Sequence, residues 1–273
     1  MDLDLLKFFI WETRVSNYKT ALVTGASAGF GFEIAKALAE SGFKVIAAAR
    51  REDKLQKLAK INPENIYPVF MDVTDASSVS KALNTLPEEL REIDILINNA
   101  GLALGTDPAV HCSLDDWKVM VDTNITGLLC VTKAVLDGMV KRNKGYIINL
   151  GSTAGAWPYR GGNVYGGTKA FVEQFTRNLR TDLQGTALKV SVIKPGLCSD
   201  TEFSNVRFKG DDAKAASVYI GTESIKPEDI ANMVMYLVNT PAHLNINEVE
   251  MMPVCQTYGG LSVVRNLDLN EIK

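Results

Sequence analysis

The sequence predicts an α/β fold in which a single domain is built around a doubly wound, mostly seven-stranded parallel sheet. Three observations carry this expectation. Short continuous apolar runs alternate with stretches of helical periodicity along most of the chain, the pattern of strands covered on both faces by crossover helices. Glycine-rich and polar residues follow the apolar runs, as they do where ligands meet the carboxyl ends of parallel strands. The 273 residues suffice for one large core, and no repeat, low-complexity segment or linker divides them.

Composition narrows the function classes. The formal net charge is −3 and no basic block suggests nucleic acid as a partner. Cys112, Cys130, Cys198 and Cys255 form no CxxC pair, which fits reduced thiols in a cytoplasmic protein better than a disulfide framework. Only His111 and His243 supply imidazoles. A His-rich metal site or a Ser-His-Asp triad is therefore not expected, although His111 beside Cys112 leaves a ligand pair open. Residues 1–18 read as an N-terminal extension. Its apolar run from Leu3 to Trp11 follows Asp2 and Asp4, where a signal peptide would be basic, and is too short to span a bilayer. No integral membrane segment is expected.

The domain begins at residue 19. Thr20 to Val23 is a buried-strand run leading into Thr24-Gly25-Ala26-Ser27-Ala28-Gly29-Phe30-Gly31, and Glu33 to Ser41 follows with helical periodicity. Strand, glycine-rich turn and helix make a phosphate cradle: glycines admit close backbone approach, and the helix N-terminus offers free N–H groups and a positive dipole. Lys44 to Ala48 is the second strand and ends in Ala49-Arg50-Arg51. A carboxylate at this place would hold the ribose hydroxyls of NAD, whereas guanidinium pairs bidentately with phosphate. Arg50 and Arg51 therefore predict a 2′-phosphate, and so NADP.

Ile66 to Phe70 is the third strand, followed by Asp72-Val73 and a helix from Ala76 to Leu86. Ile93 to Ile97 is the fourth, running into Asn98-Asn99-Ala100-Gly101. Ser113-Leu114-Asp115-Asp116 resembles a capping box opening one long helix to about Arg142. Its apolar residues fall on more than one face, which suits deep burial or a subunit interface. Tyr146 to Leu150 is the fifth strand and delivers Ser152 at its carboxyl end. A helix through Tyr165 and Lys169 runs to about Leu183, and Leu188 to Ile193 is the sixth strand, followed by Pro195-Gly196. Residues 197–225 read as a long polar loop, a length that suits a substrate lid. Lys226-Pro227-Glu228-Asp229 starts the last helix, with proline at its first position. Val249 to Val254 is the seventh strand, and the tail after Gln256 suits a crossing onto a neighbouring subunit.

Tyr165 and Lys169 lie one helical turn apart and so share a face. Bringing a phenol from ~10 towards neutrality takes roughly 4 kcal/mol. A unit positive charge at ~4 Å in an effective dielectric of ~20 supplies about that much. Lys169 is thus expected to tune Tyr165 as a general acid/base, with Ser152 holding the reacting oxygen. Taken alone, the same spacing also suits a solvated helix face, and Asn124 taken alone suits an ordinary exposed polar position.

With TGASAGFG, NNAG, Asn124, Ser152, YGGTK and Pro195-Gly196 in this order, the chain from residue 19 to the C-terminus resembles the short-chain dehydrogenase/reductase family. The resemblance implies a Rossmann fold and a catalytic set of Asn124, Ser152, Tyr165 and Lys169. Tyr165 would exchange a proton with the substrate oxygen and Ser152 would orient it. Lys169 would bind the nicotinamide ribose, and Asn124 would anchor a water on the proton relay. It implies cofactor contacts at Gly25, Ser27, Gly29, Phe30 and Gly31, at Asp72, which would meet the adenine, and Val73, and at Asn98, Ala100 and Gly101, whose stretch would support the central sheet beside the nicotinamide ribose. Pro195, Gly196 and Thr201 would meet the nicotinamide.

NNAGLALG, GSTAGAWPY, TEFSNVRFKGD and PAHLNINEVEMMPV are similar to a subgroup of NADP-dependent 3-hydroxy acid dehydrogenases that also oxidise serine and allo-threonine. Family members are often tetramers, so a homotetramer is implied. Phe30 for isoleucine, Gly166-Gly167 for a bulkier pair, Thr201 one residue late and Arg160 for a small residue depart from the pattern. A hydroxy acid needs a cation for its carboxylate; Arg160, Arg207 and Lys209 are candidates, and each also suits a solvated surface charge. Beside this reading stand a carbonyl reductase of neutral ketones or aldehydes and a non-catalytic NADP-sensing scaffold. A sugar-nucleotide epimerase shares the Tyr and Lys spacing, but it would need a larger substrate domain after the sixth strand.

Overall fold

A computed structural model describes residues 17–259 of the chain. The N-terminal extension expected over 1–18 falls almost wholly outside the described residues, as does the end of the tail. Strands β1 (Thr20–Thr24), β2 (Lys44–Ala49), β3 (Ile66–Phe70), β4 (Ile95–Asn98), β5 (Tyr146–Leu150), β6 (Lys189–Pro195) and β7 (Glu248–Met251) form one sheet. Its order is β3-β2-β1-β4-β5-β6-β7, with every neighbouring pair parallel. Chain order reverses between β1 and β4, which opens a crevice at the carboxyl ends of the strands.

Helices α1 (Gly29–Glu40), α2 (Glu52–Ala59), α3 (Ala76–Asn84), α4 (Leu114–Val121), α5 (Leu128–Arg142), α6 (Asn163–Asp182), α7 (Phe203–Arg207), α8 (Asp212–Ser217) and α9 (Pro227–Val238) complete the order. Successive strand residues point to opposite faces, and each face has its own core. Val23, Val45, Ile97 and Ile148 pack with Ile34 and Leu38 of α1 and Ile230, Val234 and Leu237 of α9. Leu22, Ile46, Leu96 and Ile147 pack on the other side with Val79 of α3 and Val131, Val135 and Met139 of α5. Each such side chain contributes roughly 1.5–3 kcal/mol on leaving water. This is why strands buried on both faces appear in the sequence as unbroken apolar runs.

The structure corrects three local expectations. The long helix is interrupted: residues Asp122–Gly127 form a π-turn between α4 and α5. Gly127 lies against Val73 there, and a Cβ on it would come within 2.7 Å of a Val73 methyl. Ser113 caps α4 by accepting the N–H of Asp115, but Asp116 does not close the box, because its carboxylate holds Lys209 at 2.7 Å. Residues 197–225 are not an irregular loop. They contain α7 and α8, and their neck is closed by hydrogen bonds from Ser199 to Ile225 and from Ile225 to Leu197.

Leu114–Arg142 is long and apolar enough by composition to cross a membrane. Its α5 part turns Val131, Val135 and Met139 into the sheet, as the core helix of a globular domain does.

Candidate active site

The crevice at the carboxyl ends of the strands is a cavity of about 740 Å³. Its floor begins at the turn after β1. Gly25 (φ 67°) and Gly29 (φ 54°) both occupy left-handed backbone, which glycine adopts at little cost. Thr24 Oγ1 accepts the N–H groups of Asn99 and Ala100, tying the end of β1 to the end of β4. Gly31 is not on the cavity wall; a Cβ on it would meet the Gly25 carbonyl and the Asn99 side chain. It serves the close packing of α1 on the turn rather than ligand contact. The first turn of α1 has no side-chain cap and no acidic residue, so its free N–H groups and positive dipole are left for an anion.

Ser27 and Phe30 line this end of the cavity, with Arg50, Arg51, Asp72 and Val73. Arg51 donates Nε and Nη2 to Ser27 Oγ at 3.1 and 2.9 Å and Nη1 to Glu202 at 2.6 Å. Asp72 turns its carboxylate back onto Thr74, accepting from its N–H and its hydroxyl. The glycine turn, the uncapped helix and two guanidinium groups form a donor set suited to a dinucleotide with a phosphorylated ribose. Among the described residues no group of three His, Cys, Asp or Glu side chains is placed to hold a metal ion.

At the other end of the cavity the strand β5 delivers Ser152 and α6 delivers Tyr165 and Lys169. Ser152 Oγ accepts the N–H of Ala154 at 3.1 Å and donates to the Pro195 carbonyl at 3.4 Å. Burial pushes the Tyr165 phenol up to about 12, against the opposing effects of a hydrogen bond with Ser152 and the charge of Arg207. Lys169 donates Nζ to the carbonyl of Leu150 at 2.8 Å and stands 5.9 Å from the centre of the Tyr165 ring. Burial draws its ammonium down to about 8, with Glu173 opposing. The expectation that Lys169 pulls the phenol towards neutrality is not met in this geometry. Both groups are out of water, and loss of solvation is the largest influence on each.

Asn124 is buried inside the π-turn rather than exposed. Its side chain accepts from Leu102 N–H and donates to the Leu102 carbonyl and to Thr168 Oγ1, at 2.9, 2.8 and 3.0 Å. It anchors the segment after β4 to α6 and does not reach the cavity wall. Asn98 is also withdrawn from the wall. It is buried between β4 and β5, donating to Thr132 and Asn149, and is a clamp within the sheet. Ala100 and Gly101 do line the cavity, as do Pro195, Gly196 and Thr201. Thr201 lies against Gly29, its Cβ and methyl 3.3 Å from where a glycine Cβ would stand.

The three candidate cations separate. Arg207 lines the cavity, its guanidinium 5.7 Å from the Tyr165 ring centre and 5.5 Å from that of Tyr159. It donates to Tyr159 Oη at 2.7 Å and to the Gly105 carbonyl at 3.1 Å. Arg160 is exposed and does not line the cavity. Gly161 beside it has left-handed backbone (φ 82°), whereas Trp157, Pro158 and Tyr159 just before it line the cavity. Lys209 is exposed and paired with Asp116.

Several lining residues carry no signal in the sequence. Gln256 Oε1 accepts the N–H of Leu197 at 2.7 Å and closes the space over Gly196. Trp157 packs on Tyr258 at 4.4 Å between ring centres. Phe203 packs on Tyr165 at 5.6 Å. These contacts join segments far apart in the chain, which no local pattern can announce.

Comparison with known proteins agrees with this geometry. Residues 19–212 match the family model of the short chain dehydrogenases. The chain is 56% identical over 245 residues to the NADP-dependent 3-hydroxy acid dehydrogenase YdfG of Salmonella typhi, covering 90% of this chain and 99% of that protein. It is 47% identical over 246 residues to serine 3-dehydrogenase of Agrobacterium fabrum, covering 90% and 98%. The closed form of a serine dehydrogenase complexed with NADP+ superposes with a TM-score of 0.89 at 55% identity, over 90% of this chain and 99% of that one. A parallel seven-stranded sheet, a glycine turn under the cavity, and Ser152, Tyr165 and Lys169 at its far end thus coincide with a match over most of the chain: it belongs to the short-chain dehydrogenase family.

Proposed function

We propose that the protein transfers hydride between NADP(H) and the 3-hydroxyl carbon of a small 3-hydroxy acid or 3-hydroxy amino acid of the serine or allo-threonine type. The observation that carries this reading is Arg207, a guanidinium set 5.7 Å from the centre of the Tyr165 ring within the same cavity. A substrate whose hydroxyl lies on Tyr165 and Ser152 carries its carboxylate roughly 3–4 Å further along, within reach of that cation. Arginine suits the task because it can hold both carboxylate oxygens at once.

Arg50 and Arg51 carry the charge for the ribose 2′-phosphate, and the glycine turn and α1 carry donors for the pyrophosphate. NADP(H) held there would supply the hydride acceptor for oxidation of the carbinol carbon and the donor for the reverse reaction. As the phenolate Tyr165 takes the hydroxyl proton during oxidation, as the phenol it gives that proton to the carbonyl oxygen during reduction, and Ser152 donates a hydrogen bond that fixes the substrate oxygen. Lys169 keeps a cation beside the ribose and the phenol. Asn124 holds the Leu102 segment and α6 at a fixed separation, so that donor and acceptor carbons stay aligned.

Residues 19–273 are read as one catalytic domain, with 197–225 as the segment over the substrate. A cytoplasmic homotetramer that binds neither nucleic acid nor membrane fits the family resemblance. The test is NADP+ reduction against 3-hydroxybutyrate, serine, the threonine stereoisomers and neutral alcohols, with each acid paired with its methyl ester. Acids are expected to exceed their esters by about 10-fold or more in kcat/KM. Equal rates would instead favour a carbonyl reductase of neutral ketones or aldehydes, a reading supported by the aromatic wall of Trp157, Tyr159 and Phe203.

A further inference from the structure

We infer that Glu202 occupies, in the free chain, the anion position formed by Arg51 and Lys54, and that a ribose 2′-phosphate must displace it there. Glu202 then becomes a determinant of the preference between phosphorylated and unphosphorylated dinucleotides. The inference rests on the NADP reading above.

Its carboxylate bridges two cations: Arg51 Nη1 at 2.6 Å on one oxygen and Lys54 Nζ on the other. The opposite edge of the Arg51 guanidinium is fixed by Ser27 Oγ, so the edge that Glu202 fills is the one left to receive an anion. Burial alone would raise the Glu202 carboxyl, but Lys54 and Arg51 hold it below the usual carboxylate range. It is charged at neutral pH and behaves as an anion already in place.

Position in the chain gives the bridge its consequence. Glu202 stands between Thr201, which lies against Gly29, and Phe203, which packs on Tyr165. The same contact therefore ties the segment over the substrate to the end of β2. The bridge is partly exposed, with side-chain exposures of 35–44%, so it is individually weak. A phosphate dianion carries more charge and more acceptor oxygens than one carboxylate, and it can take both cations. The 2′-hydroxyl of an unphosphorylated ribose is neutral and has no such claim on them.

The test is calorimetric titration of the full chain, as wild type, Glu202→Gln and Glu202→Ala, with 2′,5′-ADP and with 5′-AMP. Both variants are expected to bind 2′,5′-ADP roughly 3- to 10-fold more tightly than wild type, and 5′-AMP within about 2-fold of it. Unchanged or weaker 2′,5′-ADP binding in either variant overturns the inference while leaving NADP use standing, provided wild type still prefers 2′,5′-ADP. Equal binding of the two ligands by wild type overturns the NADP reading, and this inference falls with it.

Discussion

Lys169 donates to the carbonyl oxygen of Leu150 at 2.8 Å, so the cation that shares a helix face with Tyr165 is tied to the end of β5 and not to the phenol. Burial lowers this ammonium to about 8 from an ordinary 10.5. Between those values the unfolded chain holds a proton here that the folded chain has released, so stability rises with pH across that window. Lys169→Met removes the buried charge and its share of the rise, while Lys189, also lowered by burial, keeps its own. The variant is expected to gain about 1–3 kcal/mol at pH 7 while losing turnover. Denaturant unfolding at pH 7 and pH 10 measures this, and an unchanged pH dependence would count against it.

Tyr165 lies the other way. Its phenol is raised from 10.0 to about 12 by burial, so the folded chain keeps a proton that the unfolded chain loses across that interval, and stability falls there with rising pH. Tyr165→Phe should remove the Tyr165 share of this fall, leaving that of Tyr146, and lower kcat by about 10²- to 10⁴-fold, with NADP+ affinity little altered. Single-turnover kinetics with calorimetric titration separates the two effects. Retained turnover would remove Tyr165 from the chemistry.

Arg207 and Arg160 make a paired test of substrate recognition. Arg207→Ala should reduce kcat/KM for a 3-hydroxy acid by about 10- to 100-fold and for its methyl ester by less than about 3-fold. Arg160→Ala, exposed and off the cavity wall, should leave both within about 2-fold. A reversed order would move the carboxylate site to the other side of Tyr159.

Two glycines predict stability changes of opposite sign. Gly31 has no room for a side chain between the Gly25 carbonyl and Asn99, so Gly31→Ala should cost about 1–3 kcal/mol. Gly167 lies in α6, and a Cβ added there would have nothing within 4 Å. Gly167→Ala should therefore stabilise the chain by about 0.5–1 kcal/mol. Urea denaturation of both variants checks the pair.

Much of the site is legible in the sequence because its parts are local. The strand, turn and helix around Gly25 and Gly29 declare themselves within a dozen or so residues, and so do the shared face of Tyr165 and Lys169 and the two arginines after β2. Asn124 is legible only through the family resemblance, because a side-chain amide in a helix taken alone reads as exposed unless its partners are known. Those partners are both backbone groups of Leu102 and the Thr168 hydroxyl. The π-turn around it is hidden for a related reason, since six residues of altered backbone hydrogen bonding leave the apolar pattern of the flanking helices intact. The place of Asn98 in NNAG suggests a cofactor contact, yet its side chain faces Thr132 and Asn149.

By itself the sequence determined the parallel sheet, the place of the phosphate cradle and the pairing of a phenol with an ammonium on one helix. Each depends on periodicity or on residue types a few positions apart. Tertiary structure alone decided that Lys169 is held by Leu150, that Arg207 rather than Arg160 faces Tyr165, and that Glu202 sits on Arg51. Such outcomes depend on desolvation and on contacts between segments far apart in the chain, and both arise only once the layers have packed.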